Sequence, residues 1–180
     1  NVPGATVTAS GITTLTGSAS QIAAAATAID NGTLVMANNF AATVSEGAVS
    51  AADLTIISGQ TSGTVNATAA TAINGTASAV ATALADTGIT HSDSFAVTLT
   101  AGSVAATDLT AIDAATSAVV DGSAVTTITG TAAAIAAAAT LDAAPQTTNL
   151  GNFAATVSEG AVSAAAVSYT HLTLPTKSGV

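Results

Sequence analysis

Cysteine is absent from the 180 residues, which excludes disulfides, zinc–thiolate centres and iron–sulfur clusters. Positive charge is almost absent too: one lysine and no arginine stand against ten acids, a net charge of −9. Such a chain cannot neutralise a row of phosphates, so nucleic acid is excluded as a partner. Attraction to anionic lipid surfaces fails for the same reason. Aromatic residues make up 2% of the chain and tryptophan is missing, so a thick globular core is not available. The longest apolar run, Ala132–Ala139, is far short of the roughly 20 residues of a membrane helix. No membrane insertion is therefore expected. No basic segment followed by an apolar one opens the chain, so no signal peptide is visible. The first residue is Asn1 rather than Met, as in a piece of a longer protein.

What remains is mostly alanine (47 residues) and threonine (33 residues). Disordered chains combine low hydrophobicity with high charge. Here the mean hydropathy is +0.62 and only 6% of residues are charged, so order is expected. The core available to such a chain is thin and built from Ala, Val, Ile and Leu.

The chain repeats itself. Residues 39–52 read NFAATVSEGAVSAA and residues 152–165 read the same, 113 positions later. A shorter period lies inside that one: Phe40, Asp53, Leu54, Ile57, Ile73 and Gly75 recur 55 positions later as Phe95, Asp108, Leu109, Ile112, Ile128 and Gly130. A gapless register across such different residue types is not low-complexity coincidence. Residues 1–166 therefore read as one array: a partial repeat (1–39), two complete repeats (40–94 and 95–152) and the start of another (153–166).

Each repeat divides into two halves, each with a β-favouring Val/Ile/Thr stretch, a small turn and an Ala-rich stretch that favours helix. Ser18 followed by Gln21 has capping-box spacing. Thr76 and Thr131 follow Gly75 and Gly130 at the same place. Ser50 with Asp53 offers another box-like start, with Asp53 and Asp108 complementing a helix N-terminus. Ile22, Ala25, Ala26 and Ile29 share one helical stripe, as do Leu109 and Ile112. The expected fold is α/β: a strand–helix solenoid of about 55-residue double units, with neighbouring repeats covering each other's apolar faces. The alternative is an all-β solenoid with turns of about 18 residues.

Few constellations could carry chemistry. His91, Ser92 and Asp93 are a histidine, a hydroxyl and a carboxylate in one linker. A triad needs them to converge in space, which neighbours in a short linker rarely do. Glu46 and Glu159 recur in Ser-Glu-Gly turns, yet no calcium-loop pattern accompanies them or Asp53 and Asp108. No phosphate-binding glycine loop occurs. The sequons at Asn31, Asn66 and Asn74 are expected by chance in so threonine-rich a chain. No catalytic, cofactor-binding or metal-binding residue is assigned, and no enzyme activity or cofactor is expected; the alternative is calcium held by acids scattered across stacked repeats. Thr14-Leu15-Thr16, Thr98-Leu99-Thr100 and Thr127-Ile128-Thr129 place two hydroxyls on one strand face. They resemble the threonine ladders of ice-binding solenoids. Thr43-Val44-Ser45 and Ala72-Ile73-Asn74 interrupt that pattern.

Residues 105–113 (AATDLTAID) and 125–133 (VTTITGTAA) resemble the Ala/Thr-rich repeat regions of very large bacterial surface or secreted proteins of the RTX-adhesin kind. The resemblance spans residues 1 to about 166, although the RTX calcium nonapeptide is absent. It implies an extracellular or cell-surface location in a bacterium and a non-catalytic spacer role. A ligand-binding solenoid for ice, glycan or a protein partner is the alternative. Self-association through uncapped ends is a further expectation. Residues 167–177 (VSYTHLTLPTK) break the repeat and closely resemble the translation of a sequencing adapter. They mark residues 167–180 as a non-native tail.

Overall fold

The computed structural model describes residues 5–45, 47–141 and 149–158. Within them, strands β1 (Val7–Thr8) and β2 (Thr14–Gly17) lead into helix α1 (Ala19–Asp30). Strands β3 (Leu34–Val35), β4 (Ala41–Val44) and β5 (Gly47–Ser50) precede α2 (Ala51–Gly59). Next come β6 (Val65–Asn66), β7 (Ala70–Gly75) and α3 (Ala77–Ala85). Strands β8 (Ile89–Thr90), β9 (Ala96–Leu99) and β10 (Gly102–Ala105) lead to α4 (Ala106–Ala115). Finally β11 (Val120–Gly122) and β12 (Val125–Gly130) lead to α5 (Ala132–Leu141), and β13 (Asn149–Leu150) and β14 (Ala154–Val157) follow. Among the described residues the fold is mixed α/β with parallel sheets and no closed barrel. Its five helices overturn the all-β alternative. None of them is long and apolar enough to cross a membrane.

Local chemistry explains the helix starts. Ser18 Oγ accepts from Gln21 N–H at 3.3 Å, and Gln21 Oε1 accepts from Ser18 N–H at 3.0 Å, a complete capping box. Thr76 and Thr131 accept in the same way from the Ala79 and Ala134 amides. Ser50 differs. It stands at the N-cap of α2 but its side chain makes no capping bond, so the box expected there does not form. Asp53 and Asp108 do lie in the first turns of α2 and α4. Gly75 and Gly130, one residue before the threonine caps, have φ of 156° and 151°. A Cβ at Gly130 would lie 3.4 Å from Ala106 Cβ, so glycine serves both the backbone conformation and the approach of α4.

Among the described residues every strand pairing is parallel. The sheets run β2-β4-β6-β8, then β5-β7-β9-β11-β13, then β10-β12-β14, with β1-β3 as a separate pair. Each helix packs on the next, α1 on α2 through α4 on α5. Strand β4 pairs with β2 and β6 in the first sheet, and the chain then crosses between β4 and β5 so that β5 starts the second. Residues 100–101 make the same crossing between β9 and β10.

The core lies between the sheets and the helix row. Leu54, Ile57, Val65, Ile73 and Val80 are buried, and so are Leu109, Ile112, Val120, Ile128 and Ile135, each 55 positions later. Phe40 and Phe95 are 0% and 1% exposed. Alanines 51, 77, 106 and 132 form the first turn of their helices and are buried, which lets helix and sheet approach closely. The α1 stripe is partly confirmed: Ile22 and Ala26 are buried, while Ala25 and Ile29 are half-buried. Polar details recur as well. Thr61 Oγ1 donates to the Phe40 carbonyl, and Thr116 Oγ1 to that of Phe95. Ser62 donates to the Asn38 carbonyl, and Ser117 to that of Asp93.

Candidate functional site

The linker between β8 and β9 carries His91, Ser92 and Asp93. His91 is half-buried, and its ring stands edge-on to Phe95 with centroids 5.2 Å apart and planes at 79°. Its Nδ1 donates to the Ser92 carbonyl at 3.0 Å. A triad would aim that nitrogen at a carboxylate. Here it is bonded to the backbone. The Asp93 carbonyl in turn accepts from Ser117, which pins the linker to the segment just after α4. The three residues are neighbours in sequence without forming a relay.

The acids are equally dispersed. Asp53 and Asp108 are half-buried on separate helices. Asp86 accepts from Ser58 Oγ at 2.6 Å and from Gly88 N–H at 2.8 Å, tying α2 to the turn after α3. Among the described residues no three histidine or acidic side chains come together as a metal ion would need. Glu46 and Glu159 lie outside the described residues. A shallow depression lined by Asn38, Gln60, Thr61 and Ser62 contains no titratable group.

The outer sheet surface carries the most ordered polar feature. Strand register places Thr16, Thr43, Asn66 and Thr90 side by side on β2, β4, β6 and β8. A second column runs Ser50, Asn74, Thr98 and Asp121 across β5, β7, β9 and β11. A third pairs Thr129 with Thr156. Neighbours in a column are about 4.8 Å apart, the strand spacing. Leu15, Ala42, Val65 and Ile89 form the matching column on the opposite, inner face.

These columns differ from the expected threonine ladder. The row two residues earlier is mostly alanine: Thr14 pairs with Ala41, and Ala48, Ala72 and Ala96 align. Thr127 is flanked by Ser103 and Ala154. Thr100 lies beyond the end of β9, so Thr98-Leu99-Thr100 is not wholly a strand unit. Several side chains bond within the protein. Thr90 Oγ1 donates to the Val65 carbonyl and Thr129 Oγ1 to that of Val104. Asn74 Oδ1 accepts from Thr98 N–H at 3.2 Å. Asn66 Oδ1 accepts from both the amide and the hydroxyl of Thr68, its sequon partner. The Asp121 carboxylate is held below its ordinary pKa by hydrogen bonds from the Ser123 side chain and amide.

The columns had a sequence signal, namely polar residues recurring at intervals of 27, 23 and 24 from Thr16 to Thr90. Threonine is too common here for that spacing to stand out. No family model, curated protein or solved structure matches this chain. The molecule is defined by its architecture: a mixed α/β protein of parallel strands with a row of packed helices.

Proposed function

We propose that residues 1–166 are a stackable strand–helix solenoid segment, acting as a non-catalytic spacer in an extracellular bacterial surface or adhesin-like protein. The observation that carries this reading is the recurrence of the elements at an interval of 55 residues. Strands β4, β5, β6 and β7 begin at 41, 47, 65 and 70; β9, β10, β11 and β12 begin at 96, 102, 120 and 125. Helices α2 and α3 are followed at the same interval by α4 and α5. Buried side chains and linker hydrogen bonds keep that interval. Such units cover one another's apolar faces rather than enclosing a pocket. The surface location rests on the repeat resemblance, and the −9 charge fits it by limiting nonspecific adhesion to anionic cell surfaces. Residues 167–180, read as a non-native tail, lie outside the described residues and take no part in the proposal.

Deleting residues 41–95 tests it. The cut joins Phe40 to Ala96, restoring the natural Phe-Ala junction, and removes one whole double unit. The expected product is folded, with unchanged ellipticity per residue and a lower denaturation midpoint. A deletion variant without a cooperative transition overturns the repeat reading. The ligand-binding alternative would use the polar columns, but their alanine-rich companion row and internally bonded hydroxyls favour a solvated face.

A further inference from the structure

The chain contains two Asn-Gly pairs, Asn31-Gly32 and Asn74-Gly75. An asparagine followed by glycine carries its own reaction. The glycine amide nitrogen attacks the asparagine Cγ, and glycine has no side chain to hinder the approach. The carboxamide nitrogen leaves as ammonia, and a cyclic imide, the succinimide, remains. Water opens that ring at either carbonyl and gives aspartate or isoaspartate. No oxidant, metal or enzyme is consumed. The backbone must move to bring the nitrogen onto Cγ, so local opening of the fold decides which pair reacts.

Asn74-Gly75 is held. Both residues lie in β7, between β5 and β9. Asn74 stands in register with Ser50 and Thr98, and its Oδ1 accepts from the Thr98 amide at 3.2 Å. The Gly75 carbonyl accepts from Thr100 N–H at 2.9 Å.

Asn31-Gly32 ends α1 instead. Asn31 is the C-cap and Gly32 has φ of 70°. The Gly32 and Thr33 amides donate to the Ile29 and Ala28 carbonyls, each at 3.0 Å, which is a Schellman closure. Glycine stops the helix there, and the same missing side chain leaves its nitrogen open to react. Both residues are exposed, and a Cβ at Gly32 would meet nothing within 4 Å. Among the described residues no hydrogen bond engages the Asn31 carboxamide. Freeing the Gly32 amide breaks one bond in a terminal turn, where helices fray.

We propose that Asn31 is a site of spontaneous deamidation in the folded protein, and that its conversion loosens the end of α1. The new carboxylate stands beside Asp30 at the negative end of a helix with no basic residue in its last turn. Asp30 Oδ1 accepts from Gln60 Nε2 at 3.3 Å, a tie from α1 to the end of α2. In the isoaspartate product the main chain also gains a methylene, so the Schellman hydrogen bonds lose their register.

Peptide mapping by mass spectrometry tests the first part. The full 180-residue chain is kept folded in mildly alkaline heavy-oxygen water, so that each ring opening leaves a heavy oxygen at its site. Label is expected at residue 31 about tenfold or more faster than at residue 74, because Asn74 must first give up hydrogen bonds to its strand neighbours. In denaturant the two rates converge, since both pairs then present the same chemistry. Equal labelling of the two sites in the folded chain overturns the proposal, as does labelling of residue 31 in denaturant alone. Asn31→Gln should remove the label at that site, because its longer side chain closes a ring far more slowly. Asn31→Asp installs one product outright and should lower the thermal midpoint; an unchanged midpoint overturns the second part.

Discussion

Leu54 on α2 and Leu109 on α4 lie 55 positions apart, and both are fully buried. With alanine forming much of the core, these larger side chains supply an outsized share of the buried apolar surface. Leu54→Ala and Leu109→Ala are each expected to cost about 2–5 kcal/mol, the range for a leucine truncated in a packed core. Ile56, 42% exposed on the outer side of α2, should tolerate alanine within about 0.5 kcal/mol. Denaturant titration of the three variants checks both statements. Asp121 gives a residue-scale prediction for pH. Its pKa is depressed in the fold, so its stabilising contribution is present above the ordinary carboxylate value and fades as pH falls through the folded value. Exposure keeps that contribution small. Carbon-detected NMR titration should find Asp121 below the ordinary aspartate value, and Ser123→Ala should move it back up.

At the scale of the element, two serines make opposite predictions. Ser18 closes a capping box at α1, whereas Ser50 begins α2 without a capping bond. Ser18→Ala should therefore destabilise by about 1 kcal/mol, while Ser50→Ala should cost a few tenths at most. Thermal melts of the pair measure the difference. This is also where the legibility of the sequence ends. The helices at Ser18, Thr76 and Thr131 could be read because Ala-rich runs followed capping residues. Ser50 followed by Asp53 has the same spacing, but capping requires a hydroxyl turned back onto the helix. Spacing does not encode that rotation. His91 is a similar case: its neighbours suggested chemistry, and the packing against Phe95 assigned it to the linker.

For the whole molecule, the 55-residue interval was legible because Phe, Asp, Leu and Gly stand out in an Ala/Thr background. The strand partners were not. Repeating segments look alike, and nothing local says that β4 and β5 belong to different sheets. That depends on pairing between segments more than 20 residues apart, the same long-range information that hid the polar columns. The 41–95 deletion is the prediction at this scale, and its denaturant slope should fall with the surface removed.

The crossings between β4 and β5 and between β9 and β10 have a mechanical consequence. Because each sheet starts before its predecessor has ended, no cut between successive helices meets only sheet ends. Where β8 ends one sheet, β9-β11 and β10-β12 span the gap. The ladders overlap like staggered courses of brick, so a tensile load has no through-going seam along which to part the chain.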